Sequence, residues 1–109
     1  MATFNLKRGD RLPKISATLK DSTGAVVDLS GGATVTFRMR KVGSTGALKV
    51  NTSANIVNAA GGVVEYPWAA TDTDTAGDYE AEFVANFGSL VQTHPNDSYI
   101  DVKISEPLV

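Results

Sequence analysis

A chain of 109 residues, 42% of them hydrophobic, can bury one core and is too short to divide into two, so a single domain over 1–109 is expected. Ten Lys and Arg against twelve Asp and Glu leave a net charge of −2 with the cations scattered, which argues against the phosphate-neutralising surface of a nucleic-acid binder. Cysteine is absent, excluding disulfide frameworks and thiol chemistry, and no apolar run has the length of a membrane span or the pattern of a secretory leader, so synthesis in the cytoplasm and no membrane partner are expected.

Apolar and polar residues alternate through most of the chain, the two-residue period of strands with one buried face, and helical spacing is nowhere sustained. In chain order, Phe4 and Leu6 alternate in the first seven residues and predict an edge strand. Residues 12–19 carry Ile15, Ala17 and Leu19 in alternation, and Pro13 marks a strand start or an edge, where a missing N–H does no harm. Asp21-Ser-Thr-Gly24 is a turn, predicting a hairpin that returns through 25–29. Thr34-Val-Thr-Phe-Arg-Met-Arg40 is the clearest strand: Val35, Phe37 and Met39 face the core, while Arg38 and Arg40 face solvent. Gly43-Ser-Thr-Gly46 is a second turn, leading into a strand at 47–50, and 51–58 is the most weakly patterned strand. Ala59-Ala-Gly-Gly62 is a third turn, before a strand at 63–68.

Gly77-Asp-Tyr-Glu-Ala-Glu-Phe-Val-Ala85 sends Tyr79, Ala81, Phe83 and Ala85 inward and Glu80 and Glu82 outward. Opposite charges then predict that this strand neighbours 34–40, because cross-strand Arg–Glu pairs are worth about 0.2–1 kcal/mol each and would help fix register. Phe87-Gly-Ser89 is a hairpin tip with 90–93 as its return, and 99–104 is a last strand with Ile100, Val102 and Ile104 inward. Residues 106–109 read as a loose tail. Strands at this spacing predict an all-β sandwich or barrel of about seven to nine strands.

Between Ala70 and Tyr79, Thr-Asp-Thr-Asp-Thr-Ala-Gly-Asp-Tyr resembles the corner before strand F of immunoglobulin-like domains, in which the Tyr hydroxyl bonds to backbone a few residues upstream. Ala81 stands where antibody domains have a Cys, implying a disulfide-free relative, with Trp68 as the large core residue. Several segments in order extend the likeness: Lys7-Arg-Gly-Asp10 with Leu12-Pro13, Ala17-Thr-Leu-Lys-Asp21, Val27-Asp-Leu29, Ala33 to Arg40, Asp74 to Phe83, and Val91-Gln-Thr-His-Pro-Asn96. Together they cover nearly the whole chain, which resembles the N-terminal domain of the phage baseplate upper protein family. The resemblance implies an immunoglobulin-like antiparallel β-sandwich acting as a non-enzymatic assembly module of a tailed-phage virion, in the tail or baseplate. It implies other virion proteins as partners and several symmetry-related copies. Because the chain stops after the sandwich, the helical linker and further domains of longer relatives are not expected, and a capsid decoration, a head–tail connector or collar part, or a host-surface binding module are the alternatives.

No residue is assigned a catalytic, cofactor-binding or metal-ligating role, although several invite one. Arg8-Gly-Asp10 spells a cell-adhesion tripeptide, but a Gly-centred turn with solvated charges is the expectation. Asp72, Asp74, Gly77, Asp78 and Glu80 begin like a calcium loop, yet Ala76 falls where a ligand is needed and Glu80 comes too early, so capping of local backbone is the expectation. His94 is the only histidine and sits beside Pro95 at a strand end, which suits a surface or interface residue better than a triad. Glu80 and Glu82, two apart on a strand, lack the surrounding aromatics of a glycosidase pair. Asn51-Thr-Ser53 and Asn96-Asp-Ser98 match glycosylation sequons that matter only in a secreted chain. Tyr66, Trp68 and Tyr99 are the aromatics that a recognition surface would have to use.

Overall fold

Nine β-strands and no helix are found among the described residues, 3–43, 47–95 and 99–108 of a computed structural model. The larger of two sheets holds β1 (Thr3–Lys7), β3 (Thr34–Lys41), β4 (Val50–Ser53), β7 (Gly77–Phe87), β8 (Leu90–His94) and β9 (Ile100–Ser105). Its order is β1-β9-β7-β3-β4, with β8 paired to the second half of β7. The smaller sheet is β2 (Ile15–Thr18), β6 (Val63–Tyr66) and β5 (Asn55–Asn58), in that order. The chain is therefore an all-β sandwich, antiparallel apart from the parallel pairing of β1 with β9.

β7 organises the larger sheet. Its residues 77–81 pair with β9 and 83–87 with β8, so β8 and β9 follow one another along one side of it while β3 occupies the other. β3 and β7 are neighbours, as the charge alternation predicts, and the register sets Arg38 opposite Glu82 and Arg40 opposite Glu80.

Alternation also decides which side chains meet between the layers. Val35, Phe37 and Met39 of β3 and Tyr79, Ala81, Phe83 and Ala85 of β7 are buried, against Ile15, Val64 and Tyr66 of the smaller sheet. Phe37 lies at the centre: its ring stacks on Tyr66 at 4.6 Å between centroids, meets Trp68 edge-on at 5.6 Å and lies 5.1 Å from Phe83. Burying side chains of this size is worth about 1.5–3 kcal/mol each. Favourable ring geometry adds about 0.5–1.5 kcal/mol per pair. In a chain without disulfides, this aromatic cluster and the aliphatic side chains packed with it, Ile15, Val64 and Val102 among them, join the two sheets.

The turns follow their sequence signals. Asp21 Oδ1 accepts from the backbone N–H of Thr23 at 2.9 Å and of Ala25 at 3.1 Å, and Gly24 takes a φ of 88° that other residues resist. Gly88 and Ser89 form the two-residue tip between β7 and β8. Tyr79 Oη donates to the Thr75 carbonyl at 2.8 Å, the tyrosine-to-backbone bond that the resemblance implies.

Three expectations need correction. Residues 25–29 do not form a strand but only a bridge from Lys20 to Val26. Their donors go to two places, Val27 N to the Leu19 carbonyl and Leu29 N to the Ala59 carbonyl, so no ladder along β2 can grow. The strand expected from residue 12 starts at Ile15, after an exposed lead-in whose Pro13 carbonyl accepts from Trp68 Nε1 at 3.1 Å. Residues 47–49 are not a strand, and the weakly patterned 51–58 resolves into β4 in one sheet and β5 in the other. The crossing is made at Ala54, whose N–H bonds to the Val35 carbonyl at 2.8 Å. In the predicted tail no regular element forms, although Glu106 accepts from Arg8 Nε at 2.6 Å; Val109, like turn residues 44–46, lies outside the described residues.

Candidate functional site

The residues that sequence patterns single out separate into three groups in space. The first is the corner between β6 and β7, where the loop before β2 is fastened. Gly9 N donates to the Thr73 carbonyl at 2.9 Å, Thr73 Oγ1 donates to the Asp10 carbonyl at 2.8 Å, and Arg11 Nε donates to the Trp68 carbonyl at 3.0 Å. The backbone of Gly9 and Asp10 is thus committed to the corner, and the Arg8 side chain to Glu106. The tripeptide reads as the predicted Gly-centred turn, with Gly9 at φ 91°.

The acidic residues of the same corner do not converge. Asp72 is buried and accepts from the Tyr66 hydroxyl and from Ala69 N at 2.8 Å. Asp74 is exposed and takes the Lys49 ammonium, which with the Thr75 hydroxyl holds its carboxyl below the usual range. Asp78 is exposed, and Glu80 turns to the outer face of the larger sheet. Among the described residues no group of three or more acidic or histidine side chains is placed to hold a metal ion.

His94 forms the second group. It ends β8 opposite Phe83 and so points between the layers, half-buried, with Nδ1 lacking a hydrogen-bond partner. Burial lowers its pKa below the ordinary 6.5, against the pull of the Lys20 carbonyl, and the Lys20 ammonium lowers it further. An imidazole kept neutral beside a lysine and a phenylalanine fits an edge-of-core residue. Of the sequons, Asn51 is exposed on β4, and residues 96–98 lie outside the described residues.

The third group is a polar cluster on the outer face of β3 and β7, the strongest candidate for an external contact. Arg40 Nε donates to Glu80 Oε1 at 2.7 Å and Nη2 to Tyr99 Oη at 3.3 Å, with the guanidinium 5.5 Å from the centre of the Tyr99 ring. Tyr99 immediately precedes β9, so it reaches Arg40 by lying across β7. The bond to Glu80 raises the Arg40 pKa still further above neutrality. Arg38 Nη1 stands 3.9 Å from Glu82 Oε2, within ion-pair range but beyond a hydrogen bond. Leu48 and the four charged residues, with Met39 and Tyr99, line a depression of about 90 Å³. The Arg–Glu pairing was legible in the alternation, whereas the part played by Tyr99 was not, because nothing in its spacing tells that it lies over a neighbouring strand. Chemically the cluster offers paired charges and a flat aromatic ring, which suits recognition of another surface and gives no activated nucleophile.

Neither the protein-family models nor the curated proteins contain a match to this chain.

Proposed function

We infer that the chain is a non-enzymatic structural module of a tailed-phage virion, an adaptor of the tail or baseplate that docks through its outer surfaces. The observation that carries the reading is the ordered set of segments from Lys7 to Asn96 that resembles the N-terminal domain of the baseplate upper protein family. Two structural features support it. The Tyr79–Thr75 bond closes the corner as in immunoglobulin-like sandwiches. The strand order, with β9, β7, β3 and β4 in one layer and β2, β6 and β5 in the other, is compatible with that family of sandwiches.

The inner faces of both sheets are used up by packing, and the side chains that invite a chemical reading are engaged structurally: Asp72 by Tyr66, Glu80 by Arg40. The alternative of a host-surface binding module loses two of its three aromatics, since Tyr66 and Trp68 are 4% and 2% exposed. Capsid decoration and a connector or collar position remain within the same structural class. The test is mass spectrometry and labelled-antibody imaging of purified particles made from the genome that encodes the chain. Stoichiometric incorporation is expected; particles that assemble and infect without it would remove the reading.

A further inference from the structure

We propose that the outer face of the larger sheet binds a second copy of this chain, the two copies being related by a two-fold axis that lies in the interface and runs along β3 and β7.

On the two central strands of this face the charges are sorted by strand, while β9 beside them carries one of each sign, Asp101 and Lys103. The outward positions of β3 are Thr34, Thr36, Arg38 and Arg40, and those of β7 are Asp78, Glu80, Glu82, Val84 and Asn86, of which Val84 is already covered within the chain at 2% exposed. β3 therefore presents only cations among its charged outward residues and β7 only anions. Rotation by half a turn about an axis between the two strands and parallel to them lays β3 of one copy over β7 of the other at unchanged height. Arg38 then meets Glu82 of the second copy and Arg40 meets its Glu80, twice over by symmetry. An axis running across the strands would set arginine on arginine and glutamate on glutamate, which like-charge repulsion disfavours. The layout is self-complementary for one docking and hostile to the other.

The rim of the cluster follows the same operation. Leu48, 40% exposed on the β4 side, is carried toward the β9 side, where Tyr99 lies on the face, so an apolar contact flanks the ionic centre on both sides. Arg38 has capacity to spare, because its side chain is 44% exposed and its guanidinium is not hydrogen-bonded to Glu82. Four strands overlap under this operation, β9 with β4 and β7 with β3. At about 4.8 Å apart and at most eight residues of about 3.3 Å each they make a rectangle of roughly 500 Å² before side-chain relief, the size of a weak and reversible contact.

The proposal stands on the sorted charges and not on the virion reading, since its test uses the purified chain alone. Sedimentation or native mass measurement across a concentration series is expected to show a monomer–dimer equilibrium that weakens as salt is raised. Two double variants, R38E/R40E and E80R/E82R, give the four central positions 38, 40, 80 and 82 a single sign. Each is expected to dimerise at least about a hundredfold more weakly than the parent, and an equimolar mixture of the two is expected to recover a one-to-one heterodimer. Circular dichroism checks that each variant folds. Should a double variant unfold, Leu48→Asp at the rim tests the same interface, with weaker dimerisation expected. A parent chain that stays monomeric at every concentration, variants that dimerise as tightly as the parent, or folded variants that fail to pair when mixed would each overturn the proposal.

Discussion

Asp72 shows how much of a small sandwich can depend on one polar residue. The residue is 8% exposed, and its carboxylate is satisfied by the Tyr66 hydroxyl and the Ala69 N–H, tying the end of β6 to the corner that follows. Removing the hydroxyl leaves a buried carboxylate with an unfilled lone pair, so Tyr66→Phe is expected to cost about 1–3 kcal/mol in urea unfolding. The same contact, with burial as the larger cause, raises the Tyr66 pKa above its ordinary 10. A raised folded-state pKa means full stability below the unfolded value and loss as pH climbs from there toward the folded one. The parent should therefore lose stability steadily above about pH 10, and Tyr66→Phe should lose it less steeply. His94 has the opposite dependence: its folded pKa lies below the unfolded 6.5, so the unfolded chain binds the extra proton first. Stability is expected to fall as pH drops below about 6.5, and His94→Gln should flatten that part of a melting-temperature profile. The bond of Asp72 to the Ala69 N–H follows the local backbone capping expected of it, whereas its Tyr66 partner was not readable, because it is brought by a loop closure, and loop closures leave no periodic trace.

At the scale of elements, strands buried on one face were legible and strands held mainly by their ladders were not. β3 and β7 alternate cleanly because each has one face on the core, and the sequence therefore discloses their faces and, through Arg38, Arg40, Glu80 and Glu82, their pairing. β4 shows no such pattern: Asn51, Thr52 and Ser53 are all exposed, and the strand exists because its backbone pairs with β3 at the sheet edge. The crossing at Ala54 then divides one continuous stretch between two sheets, an event without a composition signal. Gly24, Gly62 and Gly88 stand in the turns expected of them, but their burdens differ. A Cβ on Gly62 would lie 2.7 Å from the Val27 carbonyl oxygen and 3.0 Å from that of Leu19, whereas one on Gly24 would meet nothing within 4 Å. Both have positive φ, so Gly24→Ala is expected to cost about 1–2 kcal/mol from backbone conformation alone. Gly62→Ala should cost clearly more, since the collision is with backbone that cannot swing away, and parallel urea titrations will rank the two.

For the molecule as a whole, the alternation of one short sequence divides it into an interior devoted to packing and an exterior on which the charges of β3 and β7 are ordered by strand. β1 and β9 add a feature of a different kind. They run parallel through five aligned pairs, from Thr3 beside Asp101 to Lys7 beside Ser105. Tension entering ahead of Thr3 and leaving beyond Ser105 would drag these strands past each other lengthwise, loading all the rungs simultaneously instead of peeling them open singly. Such an arrangement resists stretching far better than a hairpin pulled from its open end, and it would let this small sandwich transmit force between whatever is attached at its two extremities.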